Sequence, residues 1–245
     1  MLMAVDIGNT NIHIGLWQDG AWQHDWRART IADKMPDEYG GLLRLFLEGA
    51  NIRFEDITGV VISSVVPPLT DTFATLARRY MGVEPLIVTH RVRTGITVAI
   101  DQPGQAGADR IVNTAAIVAL YGGPAIVIDF GTATTFDLVS SASAYIGGAI
   151  APGLGVAHDA LVSQAARLHK VDLVPPPSAI GTNTIHAMQS GIFWGYVGLV
   201  EGLVKRLKAA MQDTEGDAPI TVYATGGLAP LFDQHTDVID VIVPR

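Results

Sequence analysis

Ala4-Val5-Asp6-Ile7-Gly8-Asn9, near the start of the chain, and Val127-Ile128-Asp129-Phe130-Gly131-Thr132, at its middle, are two versions of one phrase. In each, a short apolar run ends on a carboxylate. An apolar residue and a glycine follow, then small polar residues, then a second alternating run. The first copy reads as a strand at 3–5, a turn and a strand at 12–17. The second reads as a strand at 125–129, a turn and a strand at 135–139. Because the second copy begins about half-way along the 245 residues, two related half-molecules are the economical reading. The join falls near Tyr121-Gly122-Gly123-Pro124, giving halves 1–121 and 122–245.

The rest of the chain alternates between periods of two and 3.6 residues. A third strand at 22–27 closes on the second through the Asp19-Gly20 turn. A helix at 37–49 carries Leu42, Leu43, Phe46 and Leu47 on one stripe, and a buried strand at 58–63 precedes a helix at 69–80 opened by Pro67-Pro68. A strand at 86–88 and a helix at 109–121 complete the first half. In the second half a strand at 145–149 leads into a helix at 153–166, and a proline loop at 175–177 into a long helix at 184–211. Strands at 220–224 and 238–243 flank a Gly-Gly turn and another helix. Strands mixed with helices in this order mean an α/β fold with antiparallel hairpins.

Composition narrows the functions available. Hydrophobic residues make up 49% and charged residues 16%, enough for a large core and unlike a disordered chain. Lys and Arg number 16 against 24 Asp and Glu, and a net charge of −8 argues against nucleic-acid or anionic-membrane partners. With no Cys, disulfides and thiolate metal sites are excluded. The seven His form no metal-ligand spacing. The opening MLMAVDIGNT has no basic n-region, and residues 115–128 are interrupted by Gly122-Gly123-Pro124, short of the ~20 apolar residues of a membrane span. A soluble cytoplasmic protein is expected.

In the first phrase a strand delivers Asp6, and Gly8 permits a tight turn whose backbone N–H groups approach a ligand closely. Such a turn cradles phosphate while Asp6 holds a hydrated Mg²⁺, with short donors from Asn9, Thr10 and Asn11. The plain alternative is a hairpin whose Asp and Asn only form the turn. The second copy, at Asp129 and Thr132, favours a nucleotide held by both turns. Ala224-Thr225-Gly226-Gly227, after a strand and before a helix, suits close approach of a base or sugar. Neither a Walker-type loop with Lys nor a Gly-x-Gly-x-x-Gly fingerprint is present.

These segments resemble type III pantothenate kinases, within the superfamily of sugar and acetate kinases, actin and heat-shock chaperones. DIGNT at 6–10, SSVVP at 63–67, GADR at 107–110, DFGTATTFD at 129–137, GGAIAPG at 147–153 and ATGG at 224–227 stand in the family's order. The resemblance implies two ribonuclease-H-like, actin-like ATPase domains with mixed sheets flanked by helices. It implies ATP-dependent phosphorylation of pantothenate, and a homodimer. ATP contacts fall on Asp6, Ile7, Gly8, Asn9, Thr10, Asn11, Ile12, His13, Thr132, Gly226 and Gly227. Substrate contacts fall on Gly107, Ala108, Asp109, Arg110 and Thr184, with Asp109 as general base. Asp129 takes a monovalent cation, K⁺ or NH₄⁺, and Asp6 the Mg²⁺. The chain departs from the family pattern before GADR, where Ile100, Gln102 and Ala106 replace the usual Tyr and Asn segment.

Each assignment has a plainer counterpart. Asp109 also suits a helix start, with Arg110 as a salt-bridge partner. Gly181-Thr182-Asn183-Thr184 also suits an N-cap. His13 also suits a solvent-facing strand position, and Trp17, Trp22 and Trp26 suit cross-strand packing. The long helix is apolar nearly all round and lined by Gly191, Gly195, Gly198 and Gly202, so it must be covered on every side, by a second subunit or by its own chain. Two other functions keep the fold: a non-catalytic transcriptional accessory factor, and a kinase for another small carboxylate.

Overall fold

The computed structural model describes Met1–Val243; Pro244 and Arg245, the end of the expected second half, lie outside the described residues. Among the described residues the strands form two sheets that repeat one pattern. In the first, β1 (Leu2–Ile7), β2 (Asn11–Gln18), β3 (Ala21–Arg29), β4 (Gly59–Ser64) and β5 (Leu86–Ile87) lie in the order β3-β2-β1-β4-β5. β1–β2 and β2–β3 are antiparallel, and β1–β4 and β4–β5 are parallel.

The second sheet contains β6 (Thr97–Val98), β7 (Ala125–Phe130), β8 (Ala133–Val139), β9 (Ala144–Pro152), β10 (Thr221–Gly226) and β11 (Val241–Ile242). Its order is β11-β10-β7-β8-β9-β6. β7–β8 and β8–β9 are antiparallel, while β7–β10 and β10–β11 are parallel. β7 to β11 thus repeat β1 to β5, and Asp6 and Asp129 occupy equivalent strands. The half-chain repeat in the sequence is a repeat of topology.

By internal contacts the chain divides into two units. The first is Met1–Thr94 with Gln102–Val112; the second is Gly95–Asp101 with Asn113 onward. In the first unit Met3, Val5 and Ile7 of β1 alternate inward, onto Tyr39, Leu43 and Leu47 of α1 (Pro36–Gly49) and Leu69 and Phe73 of α2 (Pro67–Leu76). The spacing of Tyr39, Leu43 and Leu47 is that of one helical stripe. α1 starts with Pro36, and the Glu38 carboxylate accepts the Met35 N–H at 2.8 Å. The expected single helix at 69–80 is instead α2 followed by a π-helical turn, Ala77–Met81, closed by Gly82.

In the second unit α4 (Leu154–Gln164) and α5 (Thr184–Glu215) accompany the sheet. Phe193, Tyr196, Val197, Val200 and Val204 of α5 share a core with Ile126, Ile128, Phe136, Val222 and Ala224. The opposite sheet face, with Val127, Val139 and Tyr223, packs on Ile117 and Val118 of α3 (Ala108–Tyr121). α5 is not internal to the chain: Ala187, Gly191, Gly195 and Gly198 are exposed along one side, and Trp194 is 38% exposed. β6 escaped the sequence pattern because two residues show no period. The helix after the Gly-Gly turn, α6, is one turn only (Ala229–Phe232).

Candidate active site

In the first unit Asp6 lies opposite His13 of β2 and beside Ser63 of β4, and His13 lies opposite Arg27 of β3. Residues in register share a sheet face, so Arg27, His13, Asp6 and Ser63 form one polar row on the side away from α1 and α2. Ile7 and Ile12 are fully buried, so any part they play in binding is through the backbone. Asn9, Thr10 and Asn11 are exposed at the turn. The turn is closed by Gly8 N–H donating to Asn11 O at 3.0 Å. It is tied from outside by Thr30, whose Oγ1 donates to Gly8 O at 2.7 Å and whose N–H donates to Thr10 O at 3.0 Å. Nothing in the sequence singled out Thr30, because its partners lie across two strands.

Ser63 and Ser64 divide their labour. Ser64 Oγ accepts from Val66 N–H at 3.2 Å and from Thr70 Oγ1 at 2.8 Å, fixing the start of α2. Ser63 Oγ is buried and makes no hydrogen bond among the described residues. Val65, which follows the two serines, lies against Gly107, where a Cβ would stand 3.6 Å from Val65 Cγ1 and 2.5 Å from Asp109 Oδ1. Glycine at 107 therefore leaves room for the Asp109 carboxylate, which folds back to accept the Arg110 N–H at 2.8 Å. Asp109 serves the helix start, as its plainer reading expected. Asp109 and Arg110 are half-buried, and Ala108 is buried.

In the second unit the Asp129 Oδ2 accepts a hydrogen bond from Asn113 Nδ2 of α3 at 3.1 Å. Asn113 was not foreseen, since only the fold brings it to β7. Gly226 comes against the other carboxylate oxygen: a Cβ there would lie 2.7 Å from Asp129 Oδ1, 2.5 Å from Phe130 N and 2.6 Å from Phe130 O. Its φ is +100°. The sequence attributed this Gly-Gly turn in part to a helix N-terminus, but one-turn α6 has little dipole to offer. Close approach to β7 is the observed reason for Gly226, and Gly227 is exposed beside it. The exposed Thr132 is held through its carbonyl, which accepts Gly153 N–H at 3.1 Å.

Tyr196 fastens α5 to this region. Its hydroxyl hydrogen-bonds Thr134 Oγ1 of β8, and its ring packs on Phe130 and Phe232. Burial pushes the Tyr196 hydroxyl above its ordinary value, with the Thr134 bond opposing. Thr184 is exposed as the first residue of α5, after Asn183, whose Oδ1 accepts His186 N–H at 2.9 Å. The N-cap reading of this segment therefore holds. Thr184 lines a groove of about 770 Å³ with Leu154, Leu161, Met188, Ile192 and Tyr196.

The structure thus gathers Asp6–His13 and Gly107–Arg110 in one unit, and Asp129, Thr132, Thr184, Gly226 and Gly227 in the other. Among the described residues no group of three or more His, Asp or Glu converges.

A duplicated mixed α/β fold with an Asp-x-Gly turn after β1 and after β7 is the actin-like fold. Solved structures share the fold. A putative 2-dehydro-3-deoxygalactonokinase from Sinorhizobium meliloti is similar with a TM-score of 0.55 and 14% identity, over 100% of this chain and 91% of that one. A putative Baf family transcriptional activator from Campylobacter jejuni is similar with a TM-score of 0.53 and 20% identity, over 98% and 90%. Residues 2–206 match the type III pantothenate kinase family. The type III pantothenate kinase of Roseiflexus sp. (strain RS-1) is 50% identical over 100% of this chain and 94% of its own. That of Halalkalibacterium halodurans is 44% identical over 99% and 93%. The chain belongs to the type III pantothenate kinase family.

Proposed function

We propose that the chain transfers the γ-phosphoryl group of ATP to the primary hydroxyl of pantothenate, giving 4′-phosphopantothenate and ADP at the entry to coenzyme A biosynthesis. The observation that carries this reading is the duplication itself: Asp6 and Asp129 end equivalent strands, each followed by a glycine turn, within a full-length family match. Neither the regulator nor another small-carboxylate kinase is favoured by any observation.

Arg110 anchors the pantothenate carboxylate, a task suited to a planar, permanently charged donor. Asp109 accepts the proton as the hydroxyl oxygen bonds to the γ-phosphorus and the bond to the β-phosphate bridging oxygen breaks. Thr184 adds a pantothenate contact. The Gly8–Asn11 turn and His13 take ATP phosphate, and Thr132, Gly226 and Gly227 contact ATP. Positioning and charge neutralisation dominate such a loose transfer, and a placed base adds ~10²–10⁴-fold.

The residues present fit a cation at each carboxylate. Asp129 has one oxygen held by Asn113 and a glycine, with no side chain, against the other. Asp6 is exposed at a strand end beside a turn of small polar residues. When bound, Mg²⁺ at Asp6 and K⁺ or NH₄⁺ at Asp129 neutralise phosphate charge that a chain of net charge −8 with four Lys otherwise repels.

The sequence repeat supports working halves 1–121, with the first phosphate turn and GADR, and 122–245, with the second turn and α5. The exposed Gly191–Gly195–Gly198 side of α5 and the adjoining groove support a homodimer packed along that helix. No helix among the described residues is long and apolar enough to cross a membrane. The cytoplasm is the proposed location.

A coupled assay of ADP release with pantothenate, ATP, Mg²⁺ and K⁺ tests the reading. Pantothenate-dependent turnover that collapses when K⁺ is exchanged for a bulky organic cation is expected. Absence of turnover under these conditions rejects it.

A further inference from the structure

We infer that Thr30 is a positioning residue for ATP, a latch that sets the orientation of the first phosphate turn; this rests on the assignment of that turn to ATP phosphate. Thr30 follows β3 and so lies outside the motif it serves. Its side chain and backbone both reach the turn: Oγ1 to Gly8 O at 2.7 Å and N–H to Thr10 O at 3.0 Å.

The consequence follows from peptide geometry. In a planar trans peptide the carbonyl of one residue and the N–H of the next point in opposite directions. Gly8 O therefore shares a plane with Asn9 N–H, and Thr10 O with Asn11 N–H. Drawing both carbonyls toward Thr30 turns both N–H groups away from it. N–H groups held on one side of a turn form a concavity for anions. Gly8 alone leaves such a turn free to rotate its peptides, since glycine accepts many backbone conformations. Thr30 removes that freedom from outside the ligand's path.

The side-chain bond can be tested apart from the backbone bond. Thr30→Val keeps the β-branched shape and the N–H donor but loses Oγ1, and Thr30→Ser restores the hydroxyl. With the full-length protein, Thr30→Val should raise KM for ATP about 5- to 20-fold, leaving KM for pantothenate within twofold. By calorimetry, affinity for a non-hydrolysable ATP analogue should fall by a similar factor, and Thr30→Ser should recover most of it.

Two results overturn the latch. One is an unchanged KM for ATP in Thr30→Val. The other is equal loss for both substrates with a lowered melting temperature, which marks a general structural role. Asp6→Asn separates this from the underlying assignment. If Asp6→Asn weakens ATP binding and Thr30→Val does not, the latch alone fails; if neither changes it, the turn is not the phosphate site and both fail.

Discussion

Replacing Gly226 with alanine tests why the last glycine turn exists. An alanine Cβ would stand 2.5 and 2.6 Å from the Phe130 backbone and 2.7 Å from Asp129 Oδ1, distances that backbone atoms of a central strand cannot relieve by rotating. The φ of +100° adds strain of its own. Positive-φ strain costs ~1–3 kcal/mol and overpacking a rigid site another ~1–3 kcal/mol. A total of ~2–6 kcal/mol is a large part of the ~5–15 kcal/mol that stabilises a typical protein. At ~2–4 °C per kcal/mol for a chain of this size, melting should fall by about 4–24 °C. Because β7 and Asp129 must move, half-activation by K⁺ should also shift to higher concentration. Gly41→Ala, on an exposed stretch of α1 with nothing within 4 Å of the added Cβ, provides the contrast. It should raise stability by ~0.5–1 kcal/mol through helix propensity. Calorimetric melting and a K⁺ titration read both variants. If Gly226→Ala melts within 1 °C of the parent, on the order of error in such scans, the close-approach argument is wrong.

Further outcomes follow from other residues. Asp109→Asn should lower kcat by ~10²-fold or more with ATP binding retained, whereas Arg110→Ala should chiefly raise KM for pantothenate, by ~10- to 100-fold, as steady-state kinetics will show. Tyr196→Phe should cost ~1–3 kcal/mol by leaving the buried Thr134 hydroxyl without this partner. Since burial raises the folded-state value of Tyr196 above the ordinary 10.0, its contribution is intact below about pH 10 and lost as pH climbs beyond, so Tyr196→Phe should flatten the alkaline fall in denaturant midpoint. Ser63→Ala should leave melting unchanged or slightly raised, while Ser64→Ala, which breaks the bonds at the start of α2, should lower it. Gly195→Arg, on the exposed side of α5, should leave the protomer folded and convert a sedimenting dimer to monomer; a parent that sediments as a monomer removes the basis for the dimer.

The two phrases around Asp6 and Asp129 were legible because buried strands and glycine turns leave strong local marks. Their neighbours Thr30 and Asn113 were not, since each reaches its partner only through tertiary structure. Arg110 and Asp109 were legible from a family pattern, yet the bond between Asp109 and the helix start is a matter of local geometry. The Gly226 turn was read as a place where a base or sugar comes close, whereas the approach seen there is that of β7, and the one-turn α6 supplies little of the dipole expected. α5 was recognised as a buried helix of unusual composition. Its bare glycine side shows how composition reports that a surface is meant to be covered without saying by what.

The chain passes between its two contact units three times, at 94–95, 101–102 and 112–113. The sequence repeat and the contact units are therefore out of phase. A fragment beginning at residue 122 would inherit β7 to β11 but lose edge strand β6, Asn113 and the α3 residues Ile117 and Val118 that cover one sheet face. Its partner fragment would carry those same apolar residues with only β6 of their own sheet. Splitting the gene at its internal symmetry point is thus a poor way to obtain two folded pieces, and complementation of co-expressed fragments is the experiment in which that interdependence would become visible.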